Sequence, residues 1–364
     1  MPVRLSAADE AMLAGENGPA VRTAMAIIVR MANVVGAPAL LDITGAHIDG
    51  TVYIGAATLE FAERLAAQGA QVTVPTTLNV SGVDEFGWRN WPVPPQWAAN
   101  ARRQMQAYQS MGTVPTWTCA PYQATQRPTF GQQIAWGESN AIVFANSVLG
   151  ARIERYPDML DICAAITGRV PAVGLHLEEN RGGQLLLRLR GLPTALQADD
   201  SFYPVLGHWM GQIAGDRIPV ITGLEVQPHE DQLKALGAAA ASSGSVALFH
   251  VVGVTPEAPT LTEALHGQEP LETIDVTMDT LRAARRELST ADGEQLDMIV
   301  LGSPHFSLAE FARLAPLLKG RARHAEVAFL VTSSRAMAAL AKKAGHLDTL
   351  LEFGGKITVD TCIL

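Results

Sequence analysis

Reactive and hydrogen-bonding side chains are densest between Thr118 and Arg152, in TCAPYQATQRPTFGQQIAWGESNAIVFANSVLGAR. Cys119 follows the β-prone run from Val114 to Thr118 and precedes Pro121, so its sulfur is expected where a strand ends and backbone pairing cannot continue. Ser139, Asn140, Asn146 and Arg152, with Glu138 and Ser147 among them, are too polar for an ordinary core helix. The Ala, Val, Ile and Phe between them are too apolar for a solvated loop. That mixture suits a small pocket lined by hydrogen-bonding groups. A second thiol, Cys362, follows the strand-like run Ile357 to Val359. Two thiols at separate strand ends are consistent with metal or cluster ligands that the fold brings together, and equally with incidental cysteines, since the CxxC spacing that marks a local metal site is absent. Cys163, inside the Ala- and Ile-rich DICAAITG, reads as a packed thiol. Residue types also permit a cysteine nucleophile, Cys119 with His176 or His250.

The elements that must position these groups read as α/β. Residues 6 to 34 carry apolar side chains at spacings of three and four behind Ser6, an expected N-cap. Ala39 to Ile43 and Gln71 to Val74 read as strands around a helix from Ala57 to Gln68, a pattern that favours a parallel sheet. His47 and Asn79 are then expected just past strand ends, on the ligand side of an open sheet. The run Phe86 to Trp97 carries three tryptophans and reads as an ordered loop or lid rather than a linker. A helix from Gln96 to Met111 leads back toward Cys119. Ala172 to Arg190 reads as two strands joined at EENRGG, which puts His176, Glu179 and Asn180 near the turn. From Arg217 onward, strands and helices alternate as in a doubly wound domain, with strands at 218–222, 246–252, 298–301, 327–332 and 357–359. Ser303 with His305, Ser333 with Arg335, and Cys362 each fall just after a strand. Two regions are expected, 1–216 and 217–364.

Composition narrows the class. At 364 residues, 48% hydrophobic and 17% charged, the chain can bury a large core and is not disordered. A net charge of −9 and a pI near 5.5 oppose a nucleic-acid footprint, which needs clustered Lys and Arg. No leader-like start and no span-length apolar run is legible, so the expected compartment is the cytoplasm, with no membrane partner. Neither GxGxxG, a P-loop nor HExxH occurs.

Taken together, LSAADEAMLAGENG, GAHIDG, TTLN, TCAPY, AWGESNAIVFANSVLGAR, GLHLEENR, LGSPH, TSSR and GGKITVDTC resemble the catalytic domain of the aconitase X family over nearly the whole chain. The resemblance implies an aconitase-like α/β fold, parallel sheets flanked by helices, and a hydro-lyase acting on a small hydroxy acid. It implies an iron–sulfur cluster held by cysteines at the positions of Cys119 and Cys362, and in some branches at that of Ser303. Serine at 303 is a harder and less acidic ligand than a thiol, so a smaller cluster, 2Fe-2S, is expected, with Ser303 a third ligand or a hydrogen-bond donor. The matching runs add His176, Glu179 and Ser303 as catalytic candidates. They add His47, Ser139, Asn140, Asn146, Arg152, Asn180, Ser333, Arg335 and Lys356 as substrate-binding ones. Of two substrate branches in the family, cis-3-hydroxy-L-proline and mevalonate 5-phosphate, Ser303 and the lack of an Arg/Lys cluster point to the first. Relatives continue past the point where this sequence stops, into further catalytic-domain sequence and a swivelling domain, fused or on a separate subunit. That domain is expected to supply a serine acid or base, so alone the chain could be an inactive substrate-binding fragment.

Overall fold

The structure, a computed structural model, describes residues 2–124 and 126–362. The first helix, Ala7–Ala14, begins at Ser6, whose hydroxyl accepts the Asp9 N–H at 3.2 Å while the Asp9 carboxylate accepts the Ser6 N–H at 2.9 Å. Two donors that a helix start leaves unpaired are thereby satisfied. Asp9 is also buried and pairs with Arg169 Nε at 2.9 Å, which ties this helix to the strand carrying Arg169. The next helix, Pro19–Val34, buries Ala20, Ala24, Met25, Ile28 and Ala32. These form one stripe at helical spacing, and it packs on the wholly buried helix Leu160–Thr167, where Cys163 lies.

Strands β1 (Leu40–Asp42), β2 (Ala46–Ile48), β3 (Thr76–Leu78), β4 (Ala135–Trp136) and β5 (Arg169–Pro171) belong to this first unit. The order β3-β2-β4 is parallel throughout, and β1 pairs antiparallel with β5. Strands β6 (Leu185–Leu189), β7 (Pro219–Thr222), β8 (His250–Val251) and β9 (Glu272–Val276) form a second parallel sheet in the order β8-β7-β6-β9. Strands β10 (Met298–Leu301), β11 (Ala328–Ser333) and β12 (Lys356–Val359) form a third, parallel in sequence order. Each of the three units has its own apolar core, centred on residues such as Ile28 and Ile48, Leu187 and Phe249, and Phe311 and Val331. The chain is thus α/β with parallel sheets flanked by helices. Its C-terminal alternation is divided between two sheets, and β6, which precedes residue 217, sits between β7 and β9.

Several elements differ from the sequence reading for local reasons. Gln71 to Val74 is not a strand: Val72 N–H donates to Met111 O and Thr73 N–H to Ala165 O, so neighbouring helix ends take its backbone. The βαβ unit is instead β2, helix Ala56–Ala67 and β3, which puts His47 inside β2, between Thr77 and Trp136, rather than past its end. Before Cys119 there is one bridge, Val114 to Thr77, and no strand. There the Thr116 hydroxyl donates to Leu78 O at 2.8 Å and accepts Leu78 N–H at 3.1 Å, standing in for backbone pairing. After β5, the expected first strand of a hairpin gives way to two short turns, Gly174–His176 and Glu178–Asn180. Side chains capture the backbone here: Arg181 donates to Leu175 O at 2.7 Å, and Glu154 accepts Leu175 N–H at 2.8 Å. The last helical stretch is two helices, Arg335–Lys343 and His346–Glu352, parted at Gly345 with φ 79°.

Candidate active site

One cleft of about 890 Å³ lies where the three units meet. Asp49, Asn79, Cys119, Glu138, Ser139 and Asn140 line it from the first unit, Lys234 from helix Glu230–Ser243, and Ser303 and Cys362 from the third. Two glycines allow the walls to approach. A methyl group at Gly137 would lie 2.5 Å from Asp49 Cβ, and Gly302, at φ 100°, has room for none because Thr332 O would be 2.1 Å away. The first contact brings Glu138 against Asp49; the second aims the chain at Ser303.

Cys119 is held from behind. Its Sγ accepts the His305 N–H at 3.2 Å, and its carbonyl accepts Asn140 Nδ2–H at 2.9 Å. His305 is fully buried, with Nε2 at 3.0 Å from Thr361 O and Nδ1 at 3.1 Å from the Thr118 hydroxyl. A carbonyl can only accept, so Nε2 carries the proton and Nδ1 accepts. His47 is arranged alike, with Nε2 2.9 Å from Thr118 O and Nδ1 2.7 Å from the Thr77 hydroxyl. Burial lowers His47 to about 3 and His305 to about 4, so both rings are neutral struts for the Thr118–Cys119 backbone. Burial pushes the Cys119 thiol up, and nearby Glu138 adds to the shift. A thiolate there needs a compensating positive charge, such as a metal.

The cleft is strongly acidic. Burial raises Asp49 well above the usual carboxylate range, with Glu138, Asp158 and Asp161 adding to it; Asn79 Nδ2–H, donating to Asp49 Oδ1, opposes the shift. Glu138 is raised by burial although its Oε2 accepts the Ala141 N–H at 2.7 Å as N-cap of helix Ser139–Phe144. Behind Asp49, burial brings Asp161 up to about 6, while its Oδ2 accepts the Asp49 N–H at 2.5 Å. Lys234 is buried and committed to Glu310 and to Asp231 at 3.2 Å.

Of the residues singled out in the sequence, the structure gathers Cys119, Cys362, Ser303, Ser139 and Asn140 in the cleft. The rest have other surroundings. His47 stands behind Thr118, and the Ser333 hydroxyl donates to Phe306 O at 2.7 Å. Arg152 donates to Gly150 O at 2.8 Å, to Glu257 at 3.1 Å and to Glu178 at 2.6 Å, so its fork is occupied away from the cleft. Asn146 spends its amide on Ile153 O and Ala247 O, both at 3.0 Å, and accepts from Arg181. Glu179 and Asn180 line a second cleft of about 580 Å³. His176 is buried nearby, its Nδ1 2.6 Å from Gln133 Oε1, and burial lowers it to about 3. Arg335 pairs with Glu85 at 2.9 Å and with Asp360 and lies over the Phe86 ring, while Lys356 lies over Trp91. These two cations thus pin the Trp-rich run to the third unit. The charged cleft residues that the sequence did not single out are Asp49, Arg155, Asp158, Lys234 and Glu310, while Asn79 and Glu138 were named there without an assigned role. Asp49, Asn79 and Glu138 stand within GAHIDG, TTLN and AWGESNA, so a signal was present; Lys234 had none.

Three α/β units closing on an acid-walled cleft with two cysteines define a class, and comparison with known proteins places the chain in it. The aconitase X first, second and third domains match residues 2–179, 183–286 and 296–364. The chain belongs to the aconitase X family. It is 50% identical over 360 residues, 99% of its length, to cis-3-hydroxy-L-proline dehydratase of Pseudomonas aeruginosa, and 50% identical over 364 residues to that of Hypocrea jecorina. It spans 62% and 61% of those two proteins. Phosphomevalonate dehydratase large subunit of Methanothermobacter thermautotrophicus is 39% identical, with 100% of this chain and 88% of that protein covered. The crystal structure of Thermococcus kodakaraensis aconitase X in its holo form superposes with a TM-score of 0.88 at 36% identity, covering 99% of this chain and 89% of that one.

Aconitase-like dehydratases suggest an iron–sulfur cluster. Among the described residues, no three His, Cys, Asp or Glu side chains come together to hold a metal ion. The donors that share the cleft are the Cys119 and Cys362 thiols and the Ser303 hydroxyl. That set fits a group that takes two thiolates and does not fit one that requires three. No helix among the described residues is long and apolar enough to cross a membrane.

Proposed function

We propose that this chain provides the cleft of a hydro-lyase that removes water from cis-3-hydroxy-L-proline to give Δ1-pyrroline-2-carboxylate. It would carry an iron–sulfur cluster of 2Fe-2S type on Cys119 and Cys362, with Ser303 beside it, and work in the cytoplasm with a swivelling domain, fused or as a separate subunit. The observation that carries the choice of substrate is the charge of the cleft. Asp49, Glu138, Asp158 and Glu310 face it against Arg155 and Lys234, and Lys234 is already paired. A phosphate dianion would find a single unpaired cation there, Arg155, whereas a ring ammonium would find several carboxyl groups able to pair with it. The two relatives at 50% identity bear the name of the proline-type enzyme.

The reaction takes a proton from C2 and hydroxide from C3; the enamine formed tautomerises to the Δ1-imine. A bound cluster supplies Lewis acidity that stabilises the charge developing at the carboxylate and the departing oxygen. The chain does the rest by placement. Asp49 and Glu138 are both raised by burial, and a substrate ammonium lying beside them would favour their charged forms and ready them to take a proton. They take the role that the sequence reading gave to Glu179. Asn79 orients Asp49, and Asn140, fixed by the Tyr122 hydroxyl at 2.9 Å, holds Glu138.

The test is anaerobic iron and sulfide analysis followed by assay of the protein with all its domains. cis-3-Hydroxy-L-proline should yield a product trapped by o-aminobenzaldehyde. Turnover of mevalonate 5-phosphate in its place would overturn the substrate assignment, and a protein free of iron and sulfide would overturn the cofactor.

A further inference from the structure

Arg155 differs from Arg152, Arg169 and Arg181, the arginines nearest it in the sequence. Arg152 and Arg181 have their guanidinium groups filled by carboxylates and carbonyls, and Arg169 pairs with Asp9 and Asp42. The Arg155 guanidinium makes no hydrogen bond or ion pair among the described residues, and its Nη1 is closed off from solvent without an acceptor. Folded proteins seldom leave a donor of that strength buried and unused unless a ligand supplies the acceptor. Arg155 stands between the two clefts and lines both; in the acid-walled one the other cation, Lys234, is neutralised by Glu310 and Asp231. Its backbone is held from both sides. Gln133 bridges to Arg152, and the next residue, Tyr156, donates its hydroxyl to Pro171 O at 3.0 Å and stacks on His176. The side chain thus borders the acid-walled space from a segment anchored on both sides, with unused fork donors and no ion-pairing partner among the described residues.

We infer that Arg155, rather than the substrate-binding candidate Arg152, is the residue that grips the substrate carboxylate. The inference rests on the proposed small imino-acid substrate and deepens it by assigning its anchor. A carboxylate is the ligand a planar fork takes two-point hold of. With the carboxylate on Arg155 and the ring nitrogen toward Asp49 and Glu138, the two ends of the substrate meet opposite charges. C2 and C3 are then left to face the remaining wall, which holds Cys119, Ser303 and Cys362. One free cation set among carboxylates also gives selectivity: it accepts a single carboxylate that brings its own ammonium and offers little to a ligand that brings negative charge alone.

The probes are L-proline and L-prolinamide, which share the ring and the ammonium and differ in the carboxylate. Their binding to the complete, cluster-loaded protein is measured by calorimetry for wild type, Arg155→Gln and Arg155→Lys. Wild type should bind proline at least tenfold more tightly than the amide. Arg155→Gln should lose 30-fold or more for proline and almost nothing for the amide, with Arg155→Lys between. Because Arg155 has no partner to lose, the melting temperature of Arg155→Gln should stay at or above that of wild type, whereas a structural arginine would lower it. Equal losses for acid and amide, no loss for either, or a lowered melting temperature would overturn the assignment. These readouts need no turnover. Failure of the wild type to dehydrate cis-3-hydroxy-L-proline, with the acid-over-amide preference intact, would therefore count against the proposed reaction and leave the anchor standing.

Discussion

Replacing Arg181 by methionine removes the centre of the buried ionic node that shapes the chain around the second cleft. Arg181 is fully buried, donates to Glu257 through Nε at 2.8 Å and Nη2 at 2.6 Å, and also reaches Asn146 Oδ1 at 3.0 Å and Leu175 O at 2.7 Å. Methionine fills much of the volume, so cavity cost is small. The loss lies in the acceptors: Glu257, 6% exposed, keeps only Arg152 at 3.1 Å, and three further oxygens, Asn146 Oδ1, Asn146 O and Leu175 O, lose this donor. Breaking one side of a buried pair costs about 3–5 kcal/mol, and stranded acceptors about 1–3 each, although these overlap. A value of about 4 kcal/mol follows, a large part of the roughly 5–15 kcal/mol that holds a domain together. Urea unfolding followed by circular dichroism measures it. In Arg181→Met/Glu257→Gln, where the charge opposite is also gone, the loss should fall short of the sum of the single losses by about 2 kcal/mol. A cost below about 1 kcal/mol for Arg181→Met, or strict additivity in the double variant, would show that the node contributes shape alone.

Cys119→Ala and Cys362→Ala should each bleach the visible absorbance and abolish activity while the fold survives, since both thiols face the cleft; Cys163→Ala, in the wholly buried helix Leu160–Thr167, should cost about 1 kcal/mol of packing and leave the colour. A coloured, active Cys119→Ala would displace the cluster from this cleft. The buried histidines lower stability on acidification from pH 7 to 5. His47 and His176 are lowered to about 3 and His305 to about 4, so between there and about 6.5 the unfolded chain binds more protons and stability drops with pH. Asp161 and Asp360, raised to about 6, act in the opposite sense, binding more protons when folded. Asp49 and Glu138, also raised by burial, act with these aspartates, so the histidine contribution is read from a variant: in His176→Gln stability should fall less, or rise more, from pH 7 to 5 than in wild type. A pH dependence of the urea midpoint unchanged in His176→Gln would contradict the neutral burial of that ring.

The sequence by itself determined the α/β class, the parallel pairing, the family and the two thiols, because these follow from short-range periodicity and from runs of matching residues. The Ser6 cap and helix Ala7–Ala14 behave as written, since a cap is closed within four residues. What it could not decide is which polar side chains face the cleft. Asn146 and Arg152 have the composition of a site, yet their side chains are taken by backbone groups and carboxylates, several of them distant in sequence, such as Ala247 O and Glu257, and His176 is buried against Gln133. The expected hairpin from Ala172 to Arg190 failed for a similar reason, its backbone being captured by Arg181 and Glu154. Arg155, three residues from Arg152 and of the same type, reaches the cleft with its fork unused. Only tertiary structure separates such neighbours, because the availability of a buried polar group depends on which partners the rest of the chain brings to it.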